Sequence, residues 1–197
     1  MARSSATKER IVGDALRLAS AGGMAAVSFG SLAARLELSK SGLFAHFKDK
    51  VDLELAILDA AEAAFRANVI EPAMESPGGL ARLNALFDLW LGWAFRCGLG
   101  GGCPFLGASF EYDDVPGPVR DRVVAVQRRW LAFLESVVEE AKVAGDLSAS
   151  ADARLIVSGM LGIYLTHHFC TRLLDDPSAT VVARRSFAML LAGFAPA

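Results

Sequence analysis

The stretch from Ser39 to Lys50 concentrates hydroxyl, ammonium and imidazole groups in Ser39, Lys40, Ser41, His46, Lys48 and Lys50, with small Gly42 and Ala45 and aromatic Phe44 set among them. Lysines neutralise phosphates, and short hydroxyls and backbone amides hydrogen-bond phosphate oxygens or base edges. Gly42 and Ala45 leave room for that surface to press against a partner. A catalytic role for His46 fails for want of an acid or nucleophile beside it.

Other candidate groups are sparser. His167 and Cys170 share a helical face beside His168, but two ligands do not make a metal site, so neither a metal nor a cofactor is expected. The run Gly98 to Gly102 lacks the lysine and hydroxyl of a phosphate loop and reads as a turn. Glu111, Asp113 and Asp114 precede a Pro116-Gly117 turn and read as a solvated loop. With no paired carboxylates and no triad, an enzyme is not expected. The aromatic residues Trp90, Trp93, Phe105, Phe110, Trp130, Phe133 and Tyr164 suit a cavity for an apolar or aromatic effector, with Tyr164 and His167 as orienting polar groups. Ordinary core packing accounts for each of them equally well.

These groups must be placed by helices. The chain has 197 residues, 53% apolar and 21% charged, the composition of a compact folded protein. No segment shows strand alternation, so the expected class is all-α. Helices are predicted over about Thr7 to Ala21, stopping at Gly22-Gly23, then from N-cap Ser28 through Leu36 and from N-cap Ser39 through Phe47. A fourth starts at Asp49 with Val51, Leu55, Leu58 and Ala61 inward, and ends before Pro72. Others run over Leu80 to Phe95, Phe105 to Tyr112, Val119 to Ala144, Ala151 to Leu174 and Ser178 to Phe194, the Val119 helix carrying the inner stripe Val123, Val126, Trp130, Leu134, Val137 and Ala141.

Two short helices joined by Glu37-Leu38 and preceded by a supporting helix make a helix-turn-helix, whose second helix fits the major groove of B-DNA. Ser39, Lys40 and Ser41 open that helix. Leu43 and Phe47 face the supporting core, leaving Lys40, Ser41, Gly42, Phe44, Ala45 and His46 to read, with Lys48 and Lys50 placed to clamp phosphate. Residues 1–50 hold eight Lys or Arg against four Asp or Glu, and the remainder twelve against eighteen. A basic front on an acidic body suits a polyanion partner. The expected division is a DNA-binding domain over 1–50 and a larger helical effector-binding and dimerisation domain over 51–197.

On the helix from Ala151, Ser158, Gly162 and Thr166 recur every four residues and make a groove for close helix approach. Phe187, Leu190, Leu191 and Phe194 form an apolar stripe on the last helix. The expectation is a four-helix homodimer interface, with intrachain packing as the alternative. Three cysteines without a CxxC pattern, and a beginning without the apolar core of a secretory signal, suit a reducing cytoplasm. Leu155 to Thr171 is long enough only for the lower limit of a membrane span and is interrupted by His167 and His168, so no membrane is expected.

The run SFGSLAARLELSKSGLFAHFKDKVDLELA, Ser28 to Ala56, resembles the DNA-binding domain of TetR-family transcriptional repressors, and GGCPF, DDVPGPVRD and ARRSFAMLLAGF resemble a variant of that family's C-terminal half. The resemblance implies dimeric binding to double-stranded operator DNA, relieved when a small molecule enters the larger domain. It places Ser28 and Ser31 at phosphate, Lys40, Ser41 and Gly42 at bases, and Phe44, His46 and Lys48 beside the backbone. Two positions depart from the family pattern. Phe44 stands where members often have Tyr, which removes a phenolic hydrogen bond to phosphate. Glu37 stands where Gly is usual, which calls for a left-handed backbone and sets an acid near DNA. A rival reading is a helical small-molecule-binding protein that no longer binds DNA.

Overall fold

The computed structural model describes residues 2–196, and within them every regular element is helical. Helix α1, Ala2–Gly22, buries Ile11, Ala15, Leu16 and Ala19, and stops where Gly23 turns to φ 79°. A 3₁₀ turn, Met24–Ala26, leads to α2, Phe29–Leu36. Ser28 and Ser31 close a reciprocal capping box at its start: the Ser31 N–H donates to Ser28 Oγ at 3.0 Å, and the Ser28 N–H to Ser31 Oγ at 3.0 Å. Glu37 ends α2 with φ 55°, the left-handed backbone that the sequence called for at this position.

Helix α3, Lys40–Phe44, is capped by Ser39, whose Oγ accepts the Gly42 N–H at 3.0 Å. It is shorter than expected: after Phe44 the amides of His46 and Phe47 both turn back onto the Leu43 carbonyl, which converts the last turn into a bend. Leu43 and Phe47 are fully buried, as the pattern requires, with Leu32. Helix α4, Lys50–Phe65, begins where Asp49 Oδ1 accepts the Asp52 N–H at 2.9 Å. Its buried face is Leu53, Glu54, Ile57, Leu58, Ala61 and Phe65; Val51 is exposed and Leu55 half-buried. The expected stripe is thus rotated, because α1 and a later helix cover the side that includes Glu54.

Pro72 does not end this helical run. A π-helical turn, Arg66–Ile70, hands over to α5, Glu71–Met74, where Pro72 sits in the first turn and its missing N–H is not needed. Helix α6, Leu80–Trp90, ends sooner than expected, since Leu91 is extended and Gly92 has φ 65°; α7, Trp93–Arg96, follows. Then come α8, Pro104–Glu111, α9, Pro118–Val143, α10, Ala153–Arg172, and α11, Ala179–Ala192. The α9 stripe Val123, Val126, Trp130, Leu134, Val137 and Ala141 is buried throughout.

The chain forms two compact units that do not part after residue 50. One reaches Phe65 and takes in Ala94–Gln127; the other holds Arg66–Trp93 and the chain from Arg128. Helix α4 stays with the first because its apolar side packs on α1, and α8 joins them there. Arg122 strengthens that unit with bonds to Asp59 Oδ1 at 2.7 Å and Glu62 Oε2 at 2.5 Å. In the second unit α10 and α11 pack together so closely that a Cβ on Gly159 would crowd Leu190. Among the described residues no helix is long and apolar enough to cross a membrane.

Glu37 supplies a direct test of local strain. A non-glycine left-handed residue costs about 1 kcal/mol, so Glu37→Gly should raise unfolding free energy by up to that amount, read as a higher denaturant midpoint at unchanged slope. A lower midpoint would mean that the Glu37 side chain contributes more than its backbone costs.

Candidate nucleic-acid interface

The bases of the proposed reading surface are short caps and one buried wedge. Leu43 and Phe47 point into the core, which turns Lys40, Ser41, Phe44 and Ala45 outward; all four are exposed, while Gly42 and His46 are half-buried. Ser39 Oγ lies 3.0 Å from Ser41 Oγ, so the two hydroxyls are linked. Phe44 is 52% exposed and stacks on Phe29 with ring centroids 4.3 Å apart, which makes an apolar platform where a phenol would offer a hydroxyl. Lys8 Nζ sits 5.1 Å over the Phe47 ring at the rear of the same small domain.

The remaining expected contacts divide by how committed they are. Lys48 is exposed, and its backbone N–H donates to Asp52 Oδ2 at 3.1 Å. Lys50 is half-committed, with Nζ 3.3 Å from Glu54 Oε1, a carboxylate that is 4% exposed at the residue level. Ser28 is exposed and Ser31 half-buried, but their hydroxyls serve the capping box, and Ser31 Oγ also donates to the Ala26 carbonyl at 3.2 Å. Any phosphate bond from Ser28 or Ser31 must therefore share oxygens already used by the helix start.

In the second unit the aromatic residues pack on one another. Trp90 stacks on Tyr164 at 4.0 Å and meets Trp130 edge-on at 5.2 Å, and Trp130 lies 5.9 Å from Phe133. Trp93 is buried. Phe110 is not among them: it is 66% exposed and belongs to the first unit. His167 is placed elsewhere too, bonded through Nε2 to Thr180 Oγ1 at 3.1 Å beside a groove of about 270 Å³ between α10 and α11. Burial, and secondarily Arg184, hold its pKa below the ordinary histidine value. Among the described residues no group of three or more His, Cys, Asp or Glu is disposed to hold a metal ion.

The expected partner-facing residues also separate. Ser158, Gly162 and Thr166 lie exposed along α10, and Thr166 Oγ1 is satisfied by the Gly162 carbonyl at 3.0 Å. Leu190 and Phe194 are half-buried. Phe187 and Leu191 are buried within the unit, Phe187 stacking on Phe87 at 4.0 Å, so they belong to the intrachain core and leave the interface set. The outward face of α11 is instead Val182, 52% exposed, and Met189, 76% exposed, a pairing that the apolar stripe alone did not single out. Glu111 departs from expectation as well: rather than lying in a solvated loop, it accepts the backbone N–H groups of Met24 and Ala25 at 2.9 Å each.

Two family models match the sequence, one described as bacterial regulatory proteins of the tetR family over residues 11–57, the other as the tetracyclin repressor-like C-terminal domain over residues 79–187. The chain belongs to the TetR family. It is a DNA-binding transcriptional regulator with the all-α build of that family. A TetR transcriptional regulator from Chloroflexus aurantiacus J-10-FL is 26% identical, with a TM-score of 0.89 over 98% of this chain and 97% of that one. A TetR-family regulator from Streptomyces coelicolor shares the fold at 23% identity, TM-score 0.83, over 98% and 97% of the two chains. AibR, whose structure holds isovaleryl coenzyme A and operator DNA, shares it at 21% identity, TM-score 0.75, over 93% and 97%. No curated protein matches the sequence significantly. Within the TetR match to residues 11–57 lie all the residues of the exposed α3 surface described above.

Proposed function

We propose that this TetR regulator is a ligand-responsive repressor that binds operator DNA as a homodimer, with residues 1–50 reading DNA and residues 51–197 binding effector and partner. The observation that carries the reading is the burial of Leu43 and Phe47, which leaves Lys40, Ser41, Phe44 and Ala45 as an outward face on a two-helix wedge. Lys40, Ser41 and Gly42 read base edges; Lys48 and Lys50 hold phosphate, Lys50 by leaving or sharing Glu54; Phe44 packs on sugar or a thymine methyl. Ser28, Ser31, Ser39 and His46 line the backbone side.

A small apolar or aromatic effector enters the second unit where Trp90, Trp130, Phe133 and Tyr164 pack, and must open those ring contacts to do so. That AibR holds both an acyl thioester of coenzyme A and operator DNA supports effector control on this fold. An effector favouring a state unable to bind DNA weakens operator affinity by the same factor that operator weakens effector binding. The homodimer forms through the exposed faces of α10 and α11. Such a regulator works in the cytoplasm, where its DNA is.

Two lysine variants test the reading on a duplex enriched from a random-sequence pool by the wild-type protein. Lys40→Ala should relax preference at one base pair in each half-site, by about 1–3 kcal/mol of lost discrimination. Lys48→Ala should weaken all sequences alike and reduce the slope of log affinity against log salt by about one per protomer. Wild-type affinity and selectivity in both variants would contradict the assignment of this face.

A further inference from the structure

The helix-turn-helix is gripped at both ends by two neighbouring residues that lie far away in the sequence. At its entry, Glu111 at the end of α8 accepts the N–H groups of Met24 and Ala25, each at 2.9 Å. These donors open the 3₁₀ turn between α1 and α2, and the preceding Gly23 has no side chain to cap them. Gly23 combines φ 79° with a Cβ position that the Glu111 carboxylate already fills, so this close approach requires glycine. At the exit, the Tyr112 side chain lies against Glu54, the buried carboxylate that Lys50 Nζ meets at 3.3 Å; burial first, then the Glu54 and Glu111 carboxylates, raise the Tyr112 pKa, so the phenol stays protonated beside them.

A third tie lies beside them. Ser20 Oγ donates to the Gly102 carbonyl at 2.7 Å while the Gly102 N–H donates to the Ser20 carbonyl at 2.8 Å, and a Cβ on Gly101 would collide with that Ser20 carbonyl. The segment from Gly101 to Tyr112 is therefore bonded to the end of α1 and to the turn before α2, and its last residue is set against Glu54 in α4. Hydrogen bonds from neutral amides to a carboxylate are shorter and stronger than those between neutral groups, and here both oxygens of one carboxylate are used.

We propose that Glu111 is a positioning residue for DNA recognition: it fixes where α2 begins, and with Tyr112 it makes the helix-turn-helix follow the end of α8. Glu111 touches no DNA. The proposal rests on the DNA-binding reading above. Without the clamp, the turn before α2 keeps its chain connections but loses the contact that sets the wedge, so specific docking weakens while general attraction to phosphate persists.

The test uses the full chain with Glu111→Gln and Glu111→Ala, the duplex enriched by wild type, and an unrelated duplex. Glu111→Ala should bind the enriched duplex about tenfold more weakly. It should keep wild-type affinity for the unrelated duplex and the wild-type salt slope. Glu111→Gln, which keeps the length and one acceptor, should fall between. Amide exchange at Met24 and Ala25 should quicken in the same order. Should the alanine variant fail to fold, the glutamine variant carries the comparison by itself. Unchanged affinity for the enriched duplex, or an equal loss on both duplexes, overturns the positioning role. A wild-type chain that enriches no duplex sinks the DNA-binding reading and this proposal with it, whereas enrichment by wild type beside an unaffected variant sinks this proposal alone.

Discussion

Val182→Glu combined with Met189→Glu should yield a folded monomer whose affinity for operator is lower by about 10²–10⁴-fold. The factor is the effective-concentration gain that two linked reading heads enjoy over one. Both side chains project outward from α11, at 52% and 76% exposure, beside the small-residue line Ser158, Gly162 and Thr166 on α10. Within one chain the new carboxylates meet water and cost little. Across a twofold interface each would be taken out of water, a desolvation cost that the neighbouring Arg185 of the same helix offsets only in part. Sedimentation velocity reads the oligomeric state, circular dichroism confirms retained helix, and a gel-shift titration reads the affinity. A variant that sediments as a dimer with wild-type operator affinity would remove the α10 and α11 faces from the assembly.

Trp90→Ala should cost about 3–5 kcal/mol, the usual range for truncating a buried tryptophan, and lower the melting temperature by roughly 10 °C for a chain of this size. The indole is 5% exposed, stacked on Tyr164 and edge-on to Trp130, so its removal takes away two ring contacts and leaves a cavity that helices cannot easily collapse. Phe110→Ala is the matched control: that ring is 66% exposed and its loss should change stability by less than about 0.5 kcal/mol. Chemical denaturation followed by tryptophan fluorescence and circular dichroism separates the two. Equal midpoints for both variants would show that the Trp90 cluster does not hold its unit together.

The parts of this fold that sequence alone made legible are those set by near neighbours. Ser28 and Ser39 cap helices because their side chains reach amides three residues on, and Glu37 was readable as left-handed because it stands at the turn position where the resembling family usually has Gly. The outward face of α3 followed from the two apolar residues that had to turn inward. What escaped depends on distant partners. Nothing near Glu111 announces that its carboxylate meets amides 86 and 87 residues away, and its position before a Pro-Gly turn argued for solvent. Phe187 looked available for a partner because spacing on α11 shows that a face is apolar without showing what covers it; Phe87 does. Pro72 and Gly92 misled in opposite directions. Proline was tolerated because a π turn restarts the helix ahead of it, and one glycine sufficed to break a run that was apolar on most sides.

In the proposed complex two copies of the Lys40 to Ala45 face read one duplex together. Hydroxyl-radical footprinting on the enriched duplex measures this most directly, since it maps each protected sugar on both strands. Two protected half-sites related by a dyad, centred about 10 base pairs or a whole multiple of a helical turn apart, are the predicted result. A single asymmetric footprint of one half-site, unchanged as protein concentration rises, would contradict it.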